Sequence, residues 1–334
     1  MHPPLPDEDL DAVLDQTQAL WRELSGERIF ITGGTGFFGA WLLETFVRAN
    51  RRLQLGAHAV VLSRRPEAFL AKLPHLSVAP EIHMQRGDAT DFEFPAGRFA
   101  CVIHAATEAS DTGRDVLSTR RTLDFAVASS ASRHLFTSSG AVYGPQPHDV
   151  SQWSEDFLNG SQPPATTSPY GQAKLASESL CALYAARHGL SATVARCFAF
   201  VGPHLPLDAH FAVGNFLRDA LRGGPIRIEG DGTPYRSYLY ASDLVVWLWT
   251  ILFRGVASRP YNVGSDQAVT IAELAHTVSR LVAPAALIHT ARPPVVGAHA
   301  LRYVPSIDRA RDELGLGVRV DLDAAIVRTA AWLR

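Results

Sequence analysis

The chain reads as an α/β protein: a doubly wound parallel sheet followed by a smaller C-terminal lobe. Three observations predict this. Short β-branched runs alternate with helical stretches between residues 26 and 200; a glycine-rich turn, TGGTGFFG at 32–39, joins the first run to the first helix; and beyond Phe200 the alternation stops. Alternating strands and helices make βαβ units, whose parallel strands are covered on both faces.

In chain order, RIFITGG is the first strand and WLLETFVRAN the helix after it. AHAVVLSRR, IHMQRGD and FACVIHAA follow as strands, then a helix through TLDFAVASS, the strand HLFTSSGAVYG, a helix from Tyr170, and the strand SATVARCFAF. Residues 26–200 are therefore assigned to a dinucleotide-binding domain, and residues 1–25 to a helical extension packed on its outside with no functional reading. Residues 201–334 are assigned mainly to a substrate-binding lobe, with some segments returning to the first domain. That lobe opens with VGPHLPLDAHF and holds a helix through NFLRDALRGG, the strand PIRIEGDG and the run YNVG. The stretch 145–168, rich in Pro, Ser and Asn, is long for a loop in a compact domain, and such loops are often functional.

Bulk properties narrow the function. Of 334 residues, 31 are Lys or Arg and 33 are Asp or Glu. Such a balance creates no field to recruit nucleic acid or an anionic membrane, so the expected partner is a small molecule. Cys101, Cys181 and Cys197 lie in apolar stretches without metal or redox spacing, which predicts buried thiols in a reducing compartment. The acidic N-terminus has no apolar run of the kind that opens a secretory signal, and LVVWLWTILF at 244–253 is too short to span a membrane. A cytoplasmic protein with no bound metal is expected.

The glycine turn carries the first chemical reading. Gly33, Gly36 and Gly39 recur every three residues between strand and helix, where a pyrophosphate approaches backbone N–H groups at a helix N-terminus and side chains would block it. NAD is usually met by an acid at the end of the second strand, and the 2′-phosphate of NADP by arginine. Here that strand ends in Ser63, Arg64 and Arg65, which favours NADP, although solvated arginines beside NAD remain open. Asp88, ending the third strand, is placed to accept the adenine amino group or to form a turn. The second reading comes from TSSGAVYG at 137–144 and YGQAK at 170–174: a serine ends an apolar strand, and a helix then carries a tyrosine with a lysine one turn later.

Together with HAA at 104–106 and GDGTPYRSYLYASDL, these segments make the chain resemble the extended short-chain dehydrogenase/reductase family, NAD(P)-dependent enzymes of Rossmann type that include nucleotide-sugar epimerases, dehydratases and decarboxylases. The resemblance covers nearly everything from residue 28 to residue 318. It implies that Tyr170 exchanges a proton with a sugar hydroxyl while hydride moves to or from the nicotinamide. A free tyrosine titrates near pH 10, so Lys174 would favour the phenolate and bond the nicotinamide ribose, and Ser139 would bond the same substrate oxygen. Implied cofactor contacts are Gly33, Thr35, Gly36, Phe37, Phe38, Gly39, Ser63, Arg64, Asp88, Ala89, Ala105, Ala106 and Thr107, besides Tyr170 and Lys174. Implied substrate contacts are Glu108, Ser139, Asn215, Arg236 and Arg302, the arginines suiting a diphosphate.

The departures matter as much. The family's 4,6-dehydratases carry an Asp-Glu pair after the serine position, and its decarboxylases a glutamate before the valine. Gly140 and Ala141 stand there in this chain. The expectation is an epimerase-type reaction through a 4-keto sugar. The rivals are a 4-ketoreductase, a dehydratase or decarboxylase using a relocated acid such as Glu108, and a non-catalytic dinucleotide-binding scaffold. Ser118 stands where the family commonly has an asparagine, which leaves open what braces the site. His204 and His210 either face the sugar or are solvated, and Asp243 is expected to cap its helix while Trp247 and Trp249 fill the core. Family relatives pair through two helices, so residues 113–131 and 170–188 are expected to form a homodimer.

Overall fold

The computed structural model describes residues 2–107, 111–158, 168–209, 211–295 and 297–334. The chain forms two compact units, one of Met1–Val142, Thr167–Cys197 and Val245–Tyr261, the other of Tyr143–Thr166, Phe198–Leu244 and Asn262–Arg334.

The first unit runs α1 (Asp7–Thr17), β1 (Arg28–Thr32), α2 (Phe37–Leu53), β2 (His58–Ser63), α3 (Pro66–Lys72), α4 (Pro74–Ser77), β3 (Ile82–Arg86), β4 (Cys101–His104), α5 (Thr112–Ala128), β5 (Arg133–Ser139), α6 (Pro169–His188) and β6 (Ser191–Cys197). Its strands lie in the order β3-β2-β1-β4-β5-β6, every pairing parallel. This is the doubly wound arrangement the alternation predicts. The strand order reverses between β1 and β4, so their carboxyl ends open a crevice where such sheets bind ligands. Strands β1, β2, β4, β5 and β6 are buried on both faces over most of their length because their runs are largely apolar, whereas β3 at the sheet edge is half-buried to exposed, and Phe30 packs against Phe92 at 5.1 Å and Phe125 at 4.6 Å. All three cysteines are buried free thiols.

The N-terminal extension is more than an outer helix. Trp21 and Leu24 are fully buried, the Trp21 ring lies 4.7 Å from that of Trp249, and Arg48 on α2 pairs with Asp7 at 3.0 Å and Asp11 at 2.6 Å. The extension therefore adds to the core, a role its acidic exterior does not advertise.

Further along the chain come β7 (Phe200–Val201), α7 (Ala212–Leu221), β8 (Ile226–Ile228), β9 (Tyr235–Arg236), β10 (Leu239–Tyr240), α8 (Ala241–Arg254), β11 (Pro260–Val263), β12 (Val269–Thr270), α9 (Ile271–Val282), β13 (Ile288–Thr290), β14 (Arg302–Tyr303), α10 (Asp308–Leu314) and α11 (Leu322–Leu333). The YNVG run is β11, which takes the edge position beside β6 as the seventh strand of the large sheet. The tryptophans of α8 are buried, as their apolar helix predicts, and no helix among the described residues is long and apolar enough to cross a membrane.

Within the second unit, β12, β9 and β14 form a small sheet. Trp153 is fully buried and stacks on Tyr143 at 4.9 Å, and the Tyr143 hydroxyl donates to Asn262 Oδ1 at 2.7 Å. The described part of the stretch after Tyr143 is thus anchored by its own aromatic residue. Two expectations change. Asp243 does not cap α8: it lies inside that helix, and its Oδ2 accepts the N–H groups of Arg319 at 2.8 Å and Val320 at 3.0 Å, fastening the segment that leads into α11. Burial raises its pKa against those two hydrogen bonds. His204 is buried rather than solvated, edge-on to Trp332 at 4.6 Å. Glu108 and His210 lie outside the described residues.

Candidate active site

The glycine turn is shaped by close approaches. Gly33 has φ +71°, and a Cβ there would fall 2.3 Å from the carbonyl carbon of Ala105 at the end of β4. A Cβ on Gly39 would lie 2.2 Å from the backbone of Gly34, so α2 can pack on the turn only with glycine there. Gly36 precedes α2, donates its N–H to Gly33 O at 3.0 Å, and would meet nothing closer than 3.5 Å if given a Cβ. The first turn of α2 contains no acid. A glycine-rich turn at the positive end of a 17-residue helix suits a pyrophosphate. Thr35, Phe37 and Phe38 lie in this same turn and helix start.

At the carboxyl end of β5 the relay residues assemble. Tyr170 sits half-exposed in the first turn of α6, whose N-cap Ser168 accepts the Gly171 N–H at 3.1 Å. Lys174, one turn on, is 1% exposed; its ammonium lies 5.6 Å from the Tyr170 ring and donates to Thr137 O at 3.3 Å. Ser139 is the last residue of β5, and its Oγ accepts the Ala141 N–H at 3.1 Å. Gly140–Tyr143 is a 3-10 turn without an acid. A clamp fixes α6 to the sheet: Glu178 accepts from Ser138 Oγ at 2.6 Å and pairs with Arg196 on β6 at 2.7 Å.

Beneath the relay runs a buried polar network. Lys174 Nζ lies 3.0 Å from Asp115 Oδ2, each side chain 1% exposed. His104 joins Thr32 Oγ1 at 2.6 Å and Ser118 Oγ at 3.3 Å, and Ser118 donates to Asp115 O at 2.9 Å. Because that serine proton is used, the consistent arrangement has His104 Nε2–H donating to Ser118 and Nδ1 accepting from Thr32. Burial first, then electrostatic coupling to His134 and to the Lys174 ammonium, holds His104 neutral, well below the usual histidine range. Ser118 therefore braces the ring of His104, while Asp115 braces Lys174.

The other end of the crevice is wetter. Arg64, Asp88, Ala89, Ala106 and Thr107 line one cavity of about 70 Å³ together with Thr90, Arg114 and Ser118. Asp88 is already engaged: Oδ2 takes Arg114 at 2.6 Å, and Oδ1 takes Thr90 N at 3.0 Å and Thr90 Oγ1 at 2.8 Å. Burial works to raise its carboxyl, but the Thr90 bonds and the charges of Arg114 and Arg64 outweigh it and hold the group below the usual range. Ser63 Oγ accepts the Arg65 N–H at 3.1 Å, and Arg86 reaches across from β3 to Arg64 O at 3.1 Å.

The NAD dependent epimerase/dehydratase family model matches residues 29–264. The chain belongs to that family. It is 28% identical over 307 residues to UDP-glucuronic acid decarboxylase 6 of Arabidopsis thaliana, covering 89% of this chain and 86% of that one. A dTDP-glucose 4,6-dehydratase of Streptomyces venezuelae, solved with NAD bound, superposes with a TM-score of 0.75 at 25% identity, covering 92% of this chain and 97% of that one. An epimerase from Methanothermobacter thermautotrophicus gives a TM-score of 0.77 at 22% identity over 96% and 95% of the chains, a likeness of fold.

In the second unit of this epimerase/dehydratase-family chain, Asn215 is half-buried on α7 and accepts from Arg218 at 3.1 Å. The two expected phosphate arginines diverge. β9 and β14 pair in parallel with Arg302 beside Tyr235 and Tyr303 beside Arg236. Arg302 stacks on Tyr235 at 4.0 Å and Arg236 lies over Tyr303 at 5.8 Å, so alternation puts the guanidinium groups on opposite faces of the small sheet. Sequence reasoning also missed Asp115, His104 and Glu178. The first had a visible signal: Asp115, Ser118, Thr119 and Thr122 recur at helical spacing, a polar stripe on the face that α5 buries.

Proposed function

We propose that this chain modifies a nucleotide-diphosphate sugar through a 4-keto stage, and that the reaction is of the epimerase type. The observation that carries the reading is the make-up of the relay corner. Ser139, Tyr170 and Lys174 surround a site whose adjoining turn, Gly140–Tyr143, has neither the acid pair of a dehydratase nor the glutamate of a decarboxylase.

A dinucleotide in the crevice would supply a hydride acceptor and donor. Gly33, Gly36 and Gly39 let its pyrophosphate reach the start of α2; Arg64 with Asp88, Ala89, Ala106 and Thr107 would hold its adenosine half, and Arg64 beside Arg65 favours NADP over NAD. Tyr170 would take the proton of the sugar hydroxyl, with Ser139 hydrogen-bonded to the same oxygen and the ammonium of Lys174 stabilising the phenolate. On the return step Tyr170 would give the proton back. Asn215, Arg236 and Arg302 are proposed contacts of the diphosphate. The exposed Leu117 on α5 and Leu183 on α6 fit the proposal that these helices form a homodimer interface.

The test begins with the protein purified without added cofactor, denatured, and its released dinucleotide identified by mass and absorbance. Retained NAD⁺ or NADP⁺ supports a reaction that regenerates its cofactor within each turnover; an empty site that takes up NADPH supports a ketoreductase. Incubation with UDP-glucose, UDP-glucuronic acid and dTDP-glucose, read by mass spectrometry and proton NMR, then separates the chemistries. An epimer keeps its mass, whereas loss of water or of carbon dioxide would overturn the epimerase reading. A Tyr170→Phe variant with full turnover would sink the whole relay.

A further inference from the structure

We propose that Asp115 is the fixed counter-charge and positioning residue of Lys174, and that by keeping this pair neutral it lets an oxidised nicotinamide rest in the site. The inference rests on the relay reading above and deepens it. Asp115 Oδ2 stands 3.0 Å from Lys174 Nζ, and both side chains are 1% exposed. A buried ammonium with no counter-charge is costly, and a buried carboxylate equally so. The pair is held from two helices, Asp115 in the first turn of α5 and Lys174 in the second of α6. The α5 backbone is pinned locally, with Ser118 Oγ and Thr119 Oγ1 both donating to Asp115 O at 2.9 Å, while Thr119 also donates to Ser177 of α6 at 3.1 Å.

The other groups facing Lys174 do not supply the charge. His104 on β4 is held neutral by burial. The thiols of Cys181 on α6 and Cys197 on β6 are within electrostatic reach but are pushed up by burial, that of Cys197 to about 12, and so stay protonated. From β5 come the Thr137 carbonyl at 3.3 Å and the Phe136 ring at 4.9 Å, and Tyr170 lies on the same helix. Glu178, also on α6, is committed to Arg196. Among the described residues Asp115 is the carboxylate in salt-bridge contact with Lys174.

The consequence is electrostatic. An oxidised nicotinamide carries a positive charge that the reduced ring lacks. Beside a neutral pair the two forms meet no net charge, whereas beside an uncompensated ammonium the oxidised form is disfavoured. Asp115 thereby acts through Lys174 on the redox balance of the dinucleotide, in addition to fixing where the ammonium sits.

The dissociation constants of NAD⁺ and NADH, or of NADP⁺ and NADPH if those bind tighter, would be measured by calorimetry and nicotinamide fluorescence from pH 6 to 9. Wild type, Asp115→Asn, Asp115→Glu and the double variant Asp115→Asn/Lys174→Met are compared. In Asp115→Asn the ratio of oxidised to reduced dissociation constants rises about tenfold, equivalent to about 30 mV for a two-electron couple. It returns to the wild-type value when the ammonium is removed as well, as in the double variant. Asp115→Glu keeps the wild-type ratio, and the double variant is flat with pH. A folded Asp115→Asn protein whose ratio matches wild type at every pH overturns the proposal, as does a double variant that keeps the raised ratio. These binding readouts stand apart from turnover: if Tyr170→Phe leaves turnover intact the relay reading fails, whereas an unmoved ratio removes Asp115 alone.

Discussion

The two ends of the crevice use the same kind of ion pair in opposite settings. At the end proposed for the relay, Lys174 and Asp115 are each 1% exposed; at the end proposed for the adenosine, Arg114 and Asp88 stand at 2.6 Å but are 40% and 26% exposed. Burial, more than distance, decides what each pair does. A dry pair cannot lose one member cheaply, because the survivor has no water to turn to, whereas a wet pair hands its survivor back to solvent. The dry end is therefore fixed and suited to chemistry, and the wet end is free to vary and suited to choosing a cofactor.

The largest effect lies in the chemistry of the dry end. Tyr170→Phe removes the only hydroxyl that ring can offer, and turnover should fall by about 10²–10⁴ while dinucleotide affinity stays within a few-fold. A steady-state assay paired with a binding titration checks both. Next comes a contrast in stability. Lys174→Met strands the Asp115 carboxylate and should cost about 3–5 kcal/mol, while the matching truncation Arg114→Met should cost about 1 kcal/mol or less. Equal shifts of the denaturant midpoint in the two variants would break the comparison.

Acid should attack the dry end first. Burial pushes His134 down to about 3 and holds His104 well below the usual range, so the unfolded chain takes up protons near pH 6.5 that the folded chain refuses. Stability is then complete above pH 6.5 and lost as the pH falls. The loss by pH 5 is about 2 kcal/mol for each histidine. Denaturant titrations at pH 7 and pH 5 measure it, and His134→Asn should lose about half of the dependence.

The contrast also explains what could be read in the residues. The sheet was legible because most of its strands carry an apolar run and its glycine turn has a single steric purpose, as the clash at Gly33 shows. Ser139, Tyr170 and Lys174 were legible because strand end and helical spacing place them. Asp115 was hidden because an acid in a first helical turn reads as a partner of the helix dipole, and its contact with Lys174 is formed by two helices packed from distant parts of the chain. The opposed faces of Arg236 and Arg302 were hidden for the same reason, since only the pairing of β9 with β14 defines them. The N-terminal extension misled because its acidic exterior conceals the buried Trp21.

The smallest effect belongs to the wet end. Arg64 and Arg65 are exposed at the end of β2, and the β2–β3 register brings Arg86 beside Ser63, where Glu67 binds its guanidinium at 2.5 Å. One arginine of the three is thus partly neutralised by Glu67. Arg64→Ala should lower the preference for NADP⁺ over NAD⁺ by about tenfold, and Arg65→Ala by less, because only Arg64 lines the cavity with Asp88. Both effects should shrink as salt is raised from 0.01 M to about 0.5 M, since exposed charges are screened over a Debye length of a few ångströms at the higher strength. The Asp115→Asn shift should hold through the same titration. A selectivity that ignores salt would mean that the adenosine end is drier than its exposure implies, and the contrast between the two ends would then lose its physical basis.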